Sequence, residues 1–121
     1  MIERRILIVD DDKSINATFK AVLEEHGYTV NTASLGQEAL SLEDSSFDLV
    51  ILDIKLPDIM GDQVAKGIRE RKIADKIVLM TGYPELEDCI DTLGVGIQEI
   101  LLKPISPDEI LRVARDTFSE E

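Results

Sequence analysis

The sequence predicts a doubly wound α/β fold, a five-stranded parallel sheet with helices on both faces, on three observations. Apolar runs of strand length recur at Ile6 to Val9, Leu49 to Leu52, Ile77 to Met80 and Ile100 to Leu102. These runs are continuous rather than alternating, as expected of strands covered on both faces in a parallel sheet. Helical periodicity fills the intervals, so strand and helix alternate in units of roughly 20 to 25 residues, which implies right-handed crossovers.

Taken in order, "ILIV" is the first strand, and Ile15, Phe19, Val22 and Leu23 form the apolar face of the helix after it. Gly27 gives that helix a left-handed stop just past His26. His26 then has a structural role, a cation at the negative end of the helix dipole. "YTVNTA", Tyr28 to Ala33, is a weaker β-prone run, followed by a helical pattern over Leu35 to Leu42. "LVIL" is the third strand, with a helix around Val64 to Ile68. "IVLM" is the fourth, with Leu86, Ile90 and Leu93 marking the next helix. "ILL" is the fifth, and the last helix opens at "SPDE". There Ser106 is the N-cap, Pro107 the first helical position and Glu109, three residues after the cap, completes a capping box ahead of Ile110, Leu111, Val113 and Ala114. Met60 and Met80 read as packing residues, Cys89 as a small apolar residue on a helix, and Glu85, Glu87, Asp88 and Asp91 as a solvated helix face.

At 121 residues the chain has room for one domain with a real core and no need of disulfides. The expectation is a single domain over 1–121, with its core at about 4–118 and no output domain. The 13 basic and 25 acidic residues give a formal charge of −12, which argues against direct binding of nucleic acid or anionic lipid. A single cysteine excludes an internal disulfide and fits a reducing cytoplasm. No apolar run approaches the roughly 18 residues needed to span a bilayer, and the charged "MIERRILIV" start is not a signal peptide. The reading is cytoplasmic.

In doubly wound folds the functional crevice lies at the carboxyl ends of the strands. After "ILIV" stand Asp10, Asp11 and Asp12; after "LVIL", Asp53; after "IVLM", Thr81 and Gly82; after "ILL", Lys103 and Pro104. Any one Asp there is an ordinary helix cap or turn former, and Asp12 is read as a cap. Their coincidence argues for more. If the first and third strands are neighbours, Asp10, Asp11 and Asp53 converge, repel and require neutralisation. One Lys103 and one divalent cation balance three carboxylates. All-oxygen ligation with few protein ligands favours Mg²⁺. A metal, a lysine and a Thr81 hydroxyl beside a carboxylate can receive a phosphoryl group, with Asp53 as nucleophile.

The set "IVDDD", "ILDIKLPDIMG", "VLMTG" and "LLKPIS", in this order, resembles the receiver domain of two-component response regulators, in particular its single-domain chemotaxis-regulator type. The likeness runs from about Arg4 to Phe118. It implies a flavodoxin-like three-layer α/β/α arrangement with strand order 2-1-3-4-5. It also implies that Asp11 binds Mg²⁺ directly and Asp10 mainly through water, that Asp53 is the phosphoacceptor, and that the backbone carbonyl of Lys55 is a third protein ligand. Thr81 takes the place of the switch hydroxyl and Lys103 that of the pocket lysine, with a Lys-Pro bond that is usually cis in the family. The partners implied are a sensor histidine kinase or phosphotransfer protein and a downstream protein or output domain, with the receiver monomeric or dimerising on phosphorylation. The chain is then a signalling switch rather than an enzyme, catalysing only its own phosphoryl transfer and autodephosphorylation.

Ile100 departs from the family's usual Tyr or Phe, which shifts the expected signalling onto Thr81, the loop after it and the Leu86 to Leu93 helix. Lys55 and Tyr83 occupy positions that modulate phosphoryl lifetime in the family, and suggest slow self-dephosphorylation. A phosphohydrolase of the haloacid dehalogenase type wants a second carboxylate where this chain has Lys55. An electron carrier would need a flavin phosphate loop and stacking aromatics that are missing here. A phosphorylation-independent interaction module is the remaining alternative, opposed by the presence of all five pocket residues.

Overall fold

The computed structural model describes residues 3–42, 47–86 and 96–119. Strands β1 (Arg5–Val9), β2 (Thr29–Ala33), β3 (Phe47–Asp53), β4 (Ala74–Thr81) and β5 (Glu99–Leu102) form one parallel sheet in the order β2-β1-β3-β4-β5. This is the expected order. Chain direction reverses its walk across the sheet between β1 and β3, which leaves a crevice at their carboxyl ends.

Helices α1 (Lys13–Glu25), α2 (Gly36–Leu40), α3 (Gly61–Glu70) and α4 (Pro107–Ser119) cover the two faces. The period-2 alternation of side chains along a strand divides the core accordingly. Leu7, Val9, Val50, Leu52, Ile77 and Leu79 pack with Val64 and Ile68 of α3 on one side. Ile6, Ile8, Leu49, Ile51, Val78 and Met80 pack with Phe19 and Leu23 of α1 and Ile110, Val113 and Phe118 of α4 on the other. Strands with both faces covered must be apolar throughout, which is why the runs in the sequence are unbroken.

The local signals mostly behave as read. Asp12 caps α1, its Oδ1 accepting from the N–H groups of Ser14 (2.9 Å) and Ile15 (3.3 Å). At the other end His26 is the C-cap, its ring Nδ1 lies 3.0 Å from the Val22 carbonyl, and Gly27 adopts φ +90°. The N–H of Tyr28 returns to Leu23 O and that of Gly27 to Glu24 O, closing a Schellman motif that only a left-handed residue at 27 permits. Ser106 Oγ accepts from the Glu109 N–H at 3.1 Å, so α4 begins where the capping box places it. Met80 is fully buried whereas Met60 is 40% exposed, so the packing role holds for the first and not for the second, which stands on the loop ahead of α3.

One reading needs adjustment, and one lies outside the described residues. The helix expected over Leu35 to Leu42 is only five residues long, with Leu35 outside it as an exposed N-cap that makes no side-chain cap bond. The helix marked by Leu86, Ile90 and Leu93, together with Cys89, Glu87, Asp88 and Asp91, falls outside the described residues apart from a 3₁₀ turn at Pro84–Leu86.

Candidate functional site

β1, β3, β4 and β5 all deliver their carboxyl ends to one edge, where the ladder register sets Asp53 beside Met80 and Thr81 beside Leu102. Parity does the aiming. Asp10 lies two residues beyond Ile8, Asp53 two beyond Ile51 and Lys103 two beyond Leu101, and those three apolar residues share the α1/α4 side of the sheet. The Asp10 N–H still bonds to Ala33 O at 3.1 Å, so the extended chain carries its side chain inward before the turn into α1.

The result is a small charged cluster. Asp10, Asp11 and Asp53 each present an oxygen within 4.8 Å of the others. Asp10 is fully buried, Asp53 nearly so, and Asp11 is exposed. Lys103 Nζ lies 2.7 Å from Asp10 Oδ2 and 3.2 Å from Asp53 Oδ2, bridging the two buried carboxylates. The Lys103–Pro104 peptide is cis. Asp10 Oδ1 also accepts from the Asp12 N–H at 2.9 Å, and Asp53 Oδ1 from the Lys55 N–H at 3.4 Å.

Burial pushes the Asp53 carboxyl above its ordinary value, against the pull of Lys103, and the Asp10 charge adds to the rise. Burial alone would lower the Lys103 ammonium, but its hydrogen bond to Asp10 and the charge of Asp53 outweigh that and raise it. Two buried carboxylates and one ammonium leave the site short of positive charge. Exposed Asp11 adds a third negative group at the mouth. An all-oxygen set of this kind fits a hard divalent ion that retains water in its shell.

Thr81 stands on the far side of Asp53, buried, with its Oγ1 accepting from the Tyr83 N–H (2.8 Å) and donating to the Tyr83 carbonyl (3.2 Å). A cleft of about 740 Å³ opens over these groups, lined by Asp11, Asp53, Lys55, Pro57, Tyr83 and Lys103, among others. Lys55 Nζ lies over the Tyr83 ring, 4.4 Å from its centroid, at the rim of the cleft. Every residue singled out from the sequence for this site, Asp10, Asp11, Asp53, Lys55, Thr81 and Lys103, is therefore at one edge of the sheet. Ile100 is partly buried against the α2/α3-side core.

Asn16 was not foreseen. It is buried on α1 and its Nδ2 donates to the carbonyls of Asp10 (2.8 Å) and Ala33 (3.2 Å), tying the ends of β1 and β2 together beneath the site. Its signal was there to read: a polar residue three positions before Phe19, on the apolar stripe of the helix.

Fold and site together define a phosphoryl-signalling class of α/β protein, with an acid cluster and a lysine at the carboxyl edge of a 2-1-3-4-5 sheet. The chain belongs to the response regulator receiver domain family, whose model matches residues 6–115. It is a receiver domain of the two-component type, and such domains act with histidine kinases and output partners. It is 38% identical over 110 residues to the alkaline phosphatase synthesis transcriptional regulatory protein PhoP of Bacillus subtilis, covering 90% of this chain and 46% of that protein. It is 31% identical over 108 residues to the cell cycle response regulator CtrA of Brucella ovis, covering 88% and 47%. The chain thus spans about half the length of the curated relatives it matches. Among solved structures, a CheY-like receiver domain from Methanospirillum hungatei superposes with a TM-score of 0.87 at 35% identity, over 98% of this chain and 96% of that one. Response regulator TrrA of Thermotoga maritima, solved in complex with Mg²⁺ and BeF, gives 0.80 at 37%, over 94% and 98%. No helix among the described residues is long and apolar enough to cross a membrane.

Proposed function

We propose that Asp53 accepts a phosphoryl group from the phosphohistidine of a sensor kinase or phosphotransfer protein, and that residues of about 4–118 form the switch. One observation carries this reading: Lys103 Nζ contacts both Asp10 and Asp53 while Asp11 closes the acid cluster around them. An Asp53 oxygen forms the new P–O bond, the P–N bond to the donor imidazole breaks, and the imidazole nitrogen leaves with the electron pair. The carboxylates of Asp10, Asp11 and Asp53 and the Lys55 carbonyl would hold Mg²⁺. When bound, that ion supplies positive charge opposite the phosphoryl oxygens.

Lys103 is placed to offset the charge that moves onto the acceptor side, and the cis bond after it lies outside the transfer itself. Thr81 connects the chemistry to the fold. Its hydroxyl is bonded to the backbone of Tyr83, and a phosphoryl oxygen is a stronger, charge-assisted acceptor for the same hydrogen. Exchanging one for the other frees Tyr83 and the loop that follows it, which shifts a two-state equilibrium toward the form a partner binds. Lys55 and the Tyr83 ring, stacked at the cleft mouth, limit approach of water to the adduct and make self-dephosphorylation slow.

The test is incubation with acetyl phosphate, with and without Mg²⁺, followed by intact mass, and a repeat on Asp53→Asn. A single Mg²⁺-dependent adduct that the Asn variant lacks supports the reading. Persistence in the variant moves the acceptor elsewhere, and absence of any adduct favours a phosphorylation-independent module. Replacing Tyr83 with Ala is expected to shorten the adduct's half-life; a half-life equal to the parent's removes the water-exclusion role.

A further inference from the structure

The loop from Ile54 to Met60 carries Lys55 and Pro57 past the acceptor, and its base is pinned. Lys55 and Met60 form an antiparallel bridge, and the Gly61 N–H bonds to Ile54 O at 2.5 Å. Its tip is pinned by something else. Asp58 Oδ1 accepts from the Gly36 N–H and Oδ2 from the Gln37 N–H, both at 2.9 Å, across 22 and 21 residues of sequence. These are the first N–H groups of α2, which its own N-cap Leu35 leaves without a side-chain partner. Close approach is built in at Gly36, where a Cβ would meet Val64 Cγ2 at 2.7 Å and Ile59 Cβ at 3.3 Å.

We propose that Asp58 is a positioning residue for the acceptor loop: by clamping the loop tip to α2 with both carboxylate oxygens, it fixes the path of the chain at Lys55 and so the placement of the carbonyl that completes the Mg²⁺ site. The inference rests on the functional reading above. A carboxylate bonded to two backbone N–H groups is held in a narrow orientation, and both bonds are charge-assisted. The loop has a fixed base and a fixed tip, so releasing the tip lets the five residues from Lys55 to Ile59 sample alternatives. Groups that orient a metal ligand directly are worth about 10- to 100-fold in metal affinity. Asp58 acts three residues away from the ligand, so the expected loss is smaller, about three- to ten-fold.

The test is a Mg²⁺ titration of the full chain, followed through the backbone amide resonances of Lys55 and Thr81 well below the unfolding temperature. It is run in about 0.5 M KCl, where the Debye length is roughly 4 Å and the through-space effect of an exposed charge is suppressed. Asp58→Ala is expected to weaken Mg²⁺ binding about three- to ten-fold and to shift the Lys55 amide before any metal is added. Asp58→Asn, which keeps one acceptor oxygen, is expected to restore part of the affinity. Val113→Ala, which opens a cavity under α4 on the other face of the sheet, away from α2 and the clamp, is expected to lower thermal stability and leave Mg²⁺ affinity unchanged. Equal affinities for Asp58→Ala and the parent at high salt overturn the positioning role, as does an equal loss in Val113→Ala. A parent protein that binds no Mg²⁺ overturns this inference and the functional reading together, whereas the first two outcomes leave that reading standing.

Discussion

Replacing Lys103 with Met removes the ammonium that bridges Asp10 and Asp53 and leaves a side chain of similar length. Breaking a buried ion pair by deleting one partner costs about 3–5 kcal/mol, because an uncompensated charge remains. Here two carboxylates are left, 0% and 8% exposed at their side chains, but the Lys103 side chain is 24% exposed and the cleft admits water. The expected loss in metal-free protein is therefore lower, about 2–3 kcal/mol. At roughly 3–5 °C per kcal/mol for a chain of this length, Tm falls by roughly 6–15 °C at neutral pH. The loss depends on pH in a definite direction. The folded pKa of Asp53 is already raised, first by burial, and Lys103 supplies two of the influences holding it down. Without them it rises further. A carboxyl whose folded pKa exceeds its unfolded value destabilises the fold above the folded pKa, and the penalty is relieved as pH falls through that pKa toward the unfolded value. The gap between parent and variant should narrow on acidification. Thermal unfolding followed by circular dichroism in EDTA, from neutral pH down to about 4, measures both quantities. A variant as stable as its parent at neutral pH, or a gap that ignores pH, refutes the idea that these carboxylates need a cation. Added Mg²⁺ is expected to recover part of the lost stability.

The parent itself should lose stability at high pH: Lys103 has a raised pKa, so the contribution of its charged form is complete below the ordinary lysine value of 10.5 and lost as pH rises through the folded value. The alkaline limb of a Tm profile shows this, and the Lys103→Met variant should lack that component. Asp12→Ala removes the α1 cap and should cost about 1 kcal/mol by chemical denaturation, with no change in adduct formation on Asp53. An added loss of phosphorylation would mean that Asp12 belongs to the site. Gly61→Ala sets a Cβ 2.5 Å from Ile54 Cα and 2.7 Å from the Asp53 carbonyl, atoms of the main chain that cannot swing aside. About 1–3 kcal/mol of destabilisation follows from overpacking, together with a slower reaction with acetyl phosphate because the backbone displaced is that of the acceptor.

Much of the site could be read from the chain because it is made of strand ends. A parallel sheet forces its carboxyl termini to one edge, so Asp10, Asp53, Thr81 and Lys103 are neighbours once the strands are found. Asp12 was separable from Asp10 and Asp11 because a cap is a local device, decided by three consecutive residues. Asn16 was legible in principle, since polarity on an apolar stripe is a local signal. Asp58 was not. Its partners are the N–H groups of Gly36 and Gln37, and a backbone N–H has no letter of its own in a sequence. The shortness of α2 was hidden for a related reason: apolar spacing over Leu35 to Leu42 reports which residues face inward, not how many turns are hydrogen-bonded.

The sequence by itself determined the alternation of strands and helices, the caps of α1 and α4, and the chemical types gathered at the sheet edge, because each follows from period, propensity or spacing within a few residues. Only the tertiary structure decided that one ammonium serves both Asp10 and Asp53, that Lys55 lies over the Tyr83 ring, and that Asp58 holds α2. Those contacts join residues distant in the chain at separations of a few ångströms, and distances of that kind are fixed by packing, which no local pattern encodes.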